Sequence, residues 1–166
     1  MSRRQRQMCI RDSPYVIIGK NVEIGDNVSI KAGTVVHCNT KIGNGTKISS
    51  QSSLGGDPQD VSFNNEDETF LEIGENSDIR EFVSINRGTK KDNYLTKIGD
   101  NCLVMSNAHI GHDCVIANNV IIASAVVLGG HCNLHNNVIV GGHSVMHHHT
   151  RAVSYTHLTL PTTHCG

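Results

Sequence analysis

The chain has no tryptophan, three phenylalanines and three tyrosines, so any core must be built from aliphatic and small side chains. Proline is also scarce, at three residues, which leaves long stretches free for regular backbone pairing. No run approaches the ~20 apolar residues of a membrane-spanning helix, and stable membrane insertion is not expected. Neither sign of charge dominates, with 14 Lys and Arg against 15 Asp and Glu in 166 residues. That balance offers no basic field to a phosphate backbone, so nucleic acid is not an expected partner. The six cysteines contain no CxxC pair, the spacing common to redox and many metal sites.

What is present is a period of six. Ile18, Ile24, Ile30, Val36, Ile42, Ile48 and Leu54 recur at that interval. It resumes at Ile73, Ile79 and Ile85, and again from Ile98 through Val104, Ile110, Ile116, Ile122, Leu128, Leu134 and Val140 to Met146. Four residues after each anchor stands a small or β-branched residue, such as Thr34, Thr46, Ser77, Val83 or Thr89. Cys102, Cys114 and Cys132 fall in this set and read as reduced core thiols, which suggests a cytoplasmic, reducing setting.

A six-residue aliphatic period is the mark of a parallel β-helix. Three hexapeptides complete a triangular coil of eighteen residues, with large anchors stacked inside and small residues at the corners. Successive coils lie ~4.8 Å apart, the strand-pairing distance. The expected fold is all-β, a single solenoid domain over residues 14–152. Residues 1–13 and 153–166 break the pattern and read as disordered or non-native ends. Two extended loops interrupt the coil, Gly55 to Glu72 and Gly88 to Lys97. The first is acidic and contains Pro58; the second carries paired lysines. Loops leaving a rigid scaffold are common carriers of function.

Eleven histidines are many for this length, and histidine is the side chain suited to proton transfer near neutral pH. His112, His131 and His147 follow anchors spaced eighteen apart, which puts them on one face of three successive coils. Gly130 stands eighteen after His112 and should stack on it, leaving room for another molecule and a bare N–H. His149 should stack on His131 in the same way. The lysine-bearing loop should leave the scaffold beside His112. No metal ligand is assigned, because His135 and His143 belong to other faces than His131 and His147. Competing readings are a zinc-dependent, carbonic-anhydrase-like hexapeptide enzyme and a non-catalytic binding solenoid.

Several local stretches carry a resemblance. GGDPQD at 55–60, IREFVSINRGT at 79–89, NAHIGHDC at 107–114, LGGH at 128–131 and GGHSVMH at 141–147 resemble the acyl-carrier-protein–UDP-N-acetylglucosamine O-acyltransferase family of lipid A biosynthesis. The likeness covers about residues 14–151 and implies a left-handed coil. It implies transfer of a 3-hydroxyacyl group from acyl carrier protein to the 3-hydroxyl of UDP-N-acetylglucosamine. On it, His112 is the general base, Asp113 its orienting carboxylate and Gly130 the oxyanion donor. Gln59, Asp60, Asn86, His109, His131 and His147 match substrate-contacting positions. No cofactor is implied beyond the carrier-bound acyl donor, and a homotrimer is. Departures are Ser62, Asn86 and His148, where members often have Lys, His and Gln. Family members continue into further coils and a C-terminal helical domain, so the resemblance also implies a fragment truncated at both ends, expected to be inactive by itself.

Overall fold

The computed structural model describes residues 14–153 except residue 65. Of the two terminal stretches set aside above, all but Val153 lie outside the described residues. Every regular element among the described residues is a short strand, beginning at Ile17–Ile18 and ending at Arg151–Ala152. Among them no helix is long and apolar enough to cross a membrane.

The strands form three parallel sheets, and each strand pairs with the third strand after it. One coil therefore takes three strands, one in each sheet. Where nothing interrupts, partners are eighteen apart: Val36 pairs with Leu54, Ile110 with Leu128 and Leu128 with Met146. The expected register is observed on all three faces. Val36, Leu54, Ile85, Ile110 and Leu128 stack inside the first face, each at most 1% exposed. Ile42, Ile98, Ile116 and Leu134 fill the second, and Ile48, Ile79, Val104 and Ile122 the third. Fully burying an Ile or Leu is worth ~1.5–3 kcal/mol, so these columns dominate the stabilisation. Cys102, Cys114 and Cys132 are free thiols buried at the corners, as expected.

The period of six has a backbone cause as well as an apolar one. Each coil side ends in a turn with one residue in the left-handed region, for example Asn101 at φ 54°, Asn107 at 62° and Asn119 at 58°. Asparagine tolerates that region better than most residues. Its side chain also works between coils: Asn118 Oδ1 accepts from the Asp100 N–H at 2.9 Å and Asn136 Oδ1 from the Asn118 N–H at 2.9 Å.

Both loops leave from the same corner, between the first and second sheets, on successive coils. Ile42 pairs with Ile73, 31 residues on rather than eighteen, so the first loop inserts thirteen residues. Ile85 pairs with Ile110, 25 residues on, so the second inserts seven. Both are tighter than the sequence suggests. Strands Ser53–Gly56, Phe70–Ile73 and Leu95–Ile98 run into the expected loops, leaving 57–69 and 87–94 as excursions. The reason is that the flanks pair with each other: Phe70 is opposite Leu95 and Leu71 opposite Thr96. Thr89, expected as a corner filler, lies in the second loop instead.

Candidate active site

The loop corner is where the histidines collect. On the coil after the second loop it is occupied by His112 and Asp113, on the next by Gly130 and His131, and on the next by His148 and His149. These residues lie in turns beyond the first-face strands His109–Ile110, Val127–Leu128 and Val145–Met146, rather than on the flat of the face. That refines the expectation that His112, His131 and His147 share a face. They follow their anchors by two, three and one positions, so they occupy three different columns. His148, not His147, stands over Gly130.

His112 Nδ1 lies 2.8 Å from Asp113 Oδ2, and the two side chains are 5% and 1% exposed. An ionised carboxylate only accepts, so Nδ1 carries the proton and Nε2 keeps a lone pair. Asp113 is itself held on every side. It accepts from the Thr89 N–H at 2.8 Å and the Thr89 hydroxyl at 2.7 Å, and its own N–H donates to Thr96 Oγ1 at 2.8 Å. Burial works against the Asp113 charge. The hydrogen bonds from His112 and from the Thr89 side chain and backbone, with the His131 charge nearby, outweigh it and leave the carboxyl below its ordinary range. In its neutral form the imidazole is thus oriented by an ionised carboxylate and able to take a proton at Nε2.

Gly130 stacks on the imidazole as its spacing predicts. A Cβ there would lie 2.6 Å from His112 Cε1 and 2.7 Å from Nε2, so no larger residue fits without moving the ring. Among the described residues no acceptor takes the Gly130 N–H, whereas its neighbours Gly129 and His131 donate to Met146 and His112 carbonyls.

A cleft of about 180 Å³ gathers Gln59, Asn86, His109, His112, Gly130 and His148. Five of those residues were expected together; His148 was noted only as a departure. His109 Nδ1 is 2.8 Å from Ser84 Oγ, and burial, then the neighbouring His112, lower its pKa. Asn86 sends its amide to the Asp57 carbonyl at 2.8 Å, while its buried Oδ1 has no partner among the described residues.

Four expected residues stand outside that lining: Asp113, behind the imidazole, and Asp60, His131 and His147. Asp60 turns to Lys91, whose ammonium lies 2.8 Å from it, and to the Ser62 hydroxyl at 2.7 Å. Those bonds, the Lys91 one first, hold its carboxyl well below the usual range. His131 turns to the second loop, its Nδ1 3.1 Å from Asp92 Oδ2, and His149 stacks on it at 4.5 Å between ring centres. His147 is exposed, and its carbonyl accepts from Thr150 Oγ1 and Cys132 Sγ.

Sequence reasoning missed the residues that support these groups. Thr89 and Asp92 reach Asp113 and His131 only because a loop folds back, while Thr96 meets the Asp113 N–H from the strand Leu95–Ile98. Arg87, 6% exposed, pairs with Asp57 at 2.8 Å and lies 5.2 Å from the Phe63 ring centre. With Lys91–Asp60 and Lys90–Asp67 at 3.4 Å, it ties the two loops into one wall. The alternating signs of the loops, acidic then basic, were the available signal.

A bacterial transferase hexapeptide (six repeats) model matches residues 95–130. A curated acyl-[acyl-carrier-protein]–UDP-N-acetylglucosamine O-acyltransferase from Psychrobacter sp. is 46% identical over 97 residues, 58% of this chain and 37% of that protein. The one from Campylobacter curvus is 50% identical over 101 residues, 61% of this chain and 38% of that protein. Among solved structures, the Moraxella catarrhalis UDP-N-acetylglucosamine O-acyltransferase aligns with a TM-score of 0.82 at 40% identity, over 87% of this chain and 57% of that one. The Francisella novicida UDP-N-acetylglucosamine acyltransferase aligns with a TM-score of 0.82 at 34% identity, over 86% and 53%. The chain therefore spans less than two fifths of these curated relatives and little over half of these solved chains. The coil is left-handed, as in those neighbours. By sequence and by fold, this chain is similar to the acyl-[acyl-carrier-protein]–UDP-N-acetylglucosamine O-acyltransferases over part of their length.

Proposed function

We propose that the chain carries the acyl-transfer centre of its family. The reaction is transfer of a 3-hydroxyacyl group from acyl carrier protein to the 3-hydroxyl of UDP-N-acetylglucosamine, the first step of lipid A synthesis. One observation carries the reading: the buried His112–Asp113 pair with Gly130 stacked on the imidazole.

The chemistry follows from those groups. The sugar hydroxyl is a poor nucleophile until its proton leaves. His112 Nε2 takes that proton while the oxygen bonds to the thioester carbon, a general-base contribution of ~10²–10⁴ in rate. Negative charge moves to the carbonyl oxygen, where the Gly130 N–H donates to it. Losing such a donor costs ~10²–10³ in comparable sites. The carbon–sulfur bond then breaks, and the imidazolium returns the proton to the departing thiolate. Asp113 steadies that imidazolium while it exists. The thioester is already activated and the hydroxyl attacks it directly, so no cofactor and no Ser or Cys nucleophile is required.

Gln59, Asn86 and His109 line the acceptor side of the cleft, and the unpartnered Asn86 Oδ1 suits a sugar hydroxyl. Asp60, His131 and His147 are proposed as further substrate contacts from the loop and neighbouring coils. A homotrimer is proposed, with the cytoplasm as its compartment. The exposed valines Val115, Val127 and Val145 give the flanks apolar surface for such packing.

The test is formation of acylated UDP-N-acetylglucosamine from 3-hydroxyacyl carrier protein, followed by mass spectrometry for the chain and for His112→Ala. Turnover that disappears in His112→Ala with an unchanged circular-dichroism spectrum supports the reading. Turnover that survives His112→Ala overturns it.

A further inference from the structure

The His112–Asp113 pair divides two clefts. The transfer uses His112 Nε2 in the first. The second, about 290 Å³, opens beyond Asp113 and is lined by Asp92, His131, His149 and Arg151 among others. The atoms that meet on this second side have no part in the proton transfer itself.

Their arrangement is unbalanced. His131 Nδ1 lies 3.1 Å from Asp92 Oδ2, so in the neutral imidazole, the form a metal ion would bind, the proton sits on Nδ1 and Nε2 keeps a lone pair. That lone pair faces Asp113 Oδ2 at 3.8 Å, another acceptor. The same carboxylate oxygen is 2.8 Å from His112 Nδ1. Two acceptors facing each other beside a buried carboxylate repel unless positive charge lies between them. The ligand atoms of His112, Asp113 and His131 lie within 4.8 Å of one another. His131 also has the carboxylate partner on its far nitrogen that typically orients a metal-bound imidazole.

We propose that His112 Nδ1, Asp113 Oδ2 and His131 Nε2 form a binding site for one divalent transition-metal ion, and that filling it silences the base. Tetrahedral bonds of ~2.0–2.2 Å set ligand atoms ~3.4 Å apart, so a pair as wide as 4.8 Å must close by about 1.4 Å, within side-chain reach. Three protein ligands leave a fourth position for water from the second cleft. Imidazole and carboxylate together favour zinc, cobalt or nickel over magnesium or calcium.

The effect on catalysis is a matter of tautomers. The ion takes the Nδ1 lone pair, and the proton that was on Nδ1 moves through solvent to Nε2. The imidazole stays neutral, but Nε2 becomes a donor and cannot accept the hydroxyl proton. Because the ion enters from the second cleft, the acceptor contacts of Gln59, Asn86 and His109 in the first are left intact, and only the contact proposed for His131 is given up. Metal binding stands on geometry alone; its regulatory effect rests on the acyl-transfer reading.

The experiment is titration of the metal-free full chain with cobalt(II) chloride, read by visible d–d absorption. The expected result is a saturable band at one equivalent, displaced by zinc, absent in His131→Ala and unchanged in His147→Ala. Asp92→Asn keeps all three ligands and should weaken affinity ~10–100-fold, which covers the case that His131→Ala misfolds. A band that persists in His131→Ala, or an affinity unchanged in Asp92→Asn, overturns the site. In the transfer assay zinc should lower kcat by a much larger factor than it raises KM for the sugar nucleotide, and Asp92→Asn should relieve it. A rise in that KM with kcat unchanged overturns the tautomer switch. A chain without any transfer activity refutes the functional reading, while the cobalt titration still decides the metal site.

Discussion

His112 and Asp113 are neighbours in sequence, yet their side chains meet at 2.8 Å because Asp113 takes a left-handed turn conformation, φ 58°. That turn swings the carboxylate back under the imidazole, where Thr89 and Thr96 hold it from the loop and strand beneath.

Asp113→Asn tests the orienting role. Asparagine tolerates the same φ, so the turn should persist. The amide can no longer steady a cation on His112. Turnover should fall by ~10²-fold or more, with KM for the sugar nucleotide little changed. Steady-state kinetics beside a thermal melt checks this.

Gly130→Ala separates space from charge. The added Cβ would lie 2.6 Å from the His112 ring, so the ring must shift from its place beside Asp113. A displacement approaching 1 Å should cost ~10²-fold in kcat. Stability should fall by only ~1–3 kcal/mol, as for other overpacked sites. Denaturant titration measures the second number independently of the first.

Leu128→Ala probes the scaffold. Leu128 is 0% exposed and sits between Ile110 and Met146 in the first column. Truncation should lower unfolding free energy by ~2–5 kcal/mol through lost burial and an unfilled cavity. The loss should appear in the denaturation midpoint with an unchanged slope.

Lys91→Ala should loosen the loop wall without unfolding the coil. Lys91 bridges to Asp60 across the two loops, and its hydrogen bond is the first reason the Asp60 carboxyl is so acidic. Limited proteolysis between residues 57 and 69 should quicken while the melting temperature stays within error of the parent.

His109 sets an acid-side dependence. Burial, then the neighbouring His112, lower its pKa in the folded chain from the ordinary 6.5. The unfolded chain therefore takes up the proton first as pH falls. Stability from the neutral, buried His109 is complete above 6.5 and is lost as pH drops towards its lowered folded value. Denaturation midpoints should decline over that window, and His109→Gln should flatten the decline.

Much of the scaffold was legible in the residues. Ile110, Leu128 and Met146 announce one column through spacing alone, and Gly130 announces its stacking on His112 by the same arithmetic. The loop limits were not legible, because Phe70 and Leu95 extend their strands by pairing across two excursions that look equally polar. His148 stands eighteen residues after Gly130, so the same arithmetic places it over the cleft, a position not drawn from the sequence.

What the sequence determined by itself is the repeat, and with it the coil, the three faces and the height of each histidine along the axis. Local periodicity suffices there, since each coil contacts only its neighbours. Tertiary structure decided which atoms meet. Thr89 reaches Asp113, Asp92 reaches His131 and Lys91 reaches Asp60 only because two loops leave one corner and fold back over the next coils. Those contacts join residues 24, 39 and 31 positions apart, none a multiple of the eighteen-residue coil, and hydrogen-bond geometry rather than burial selects them.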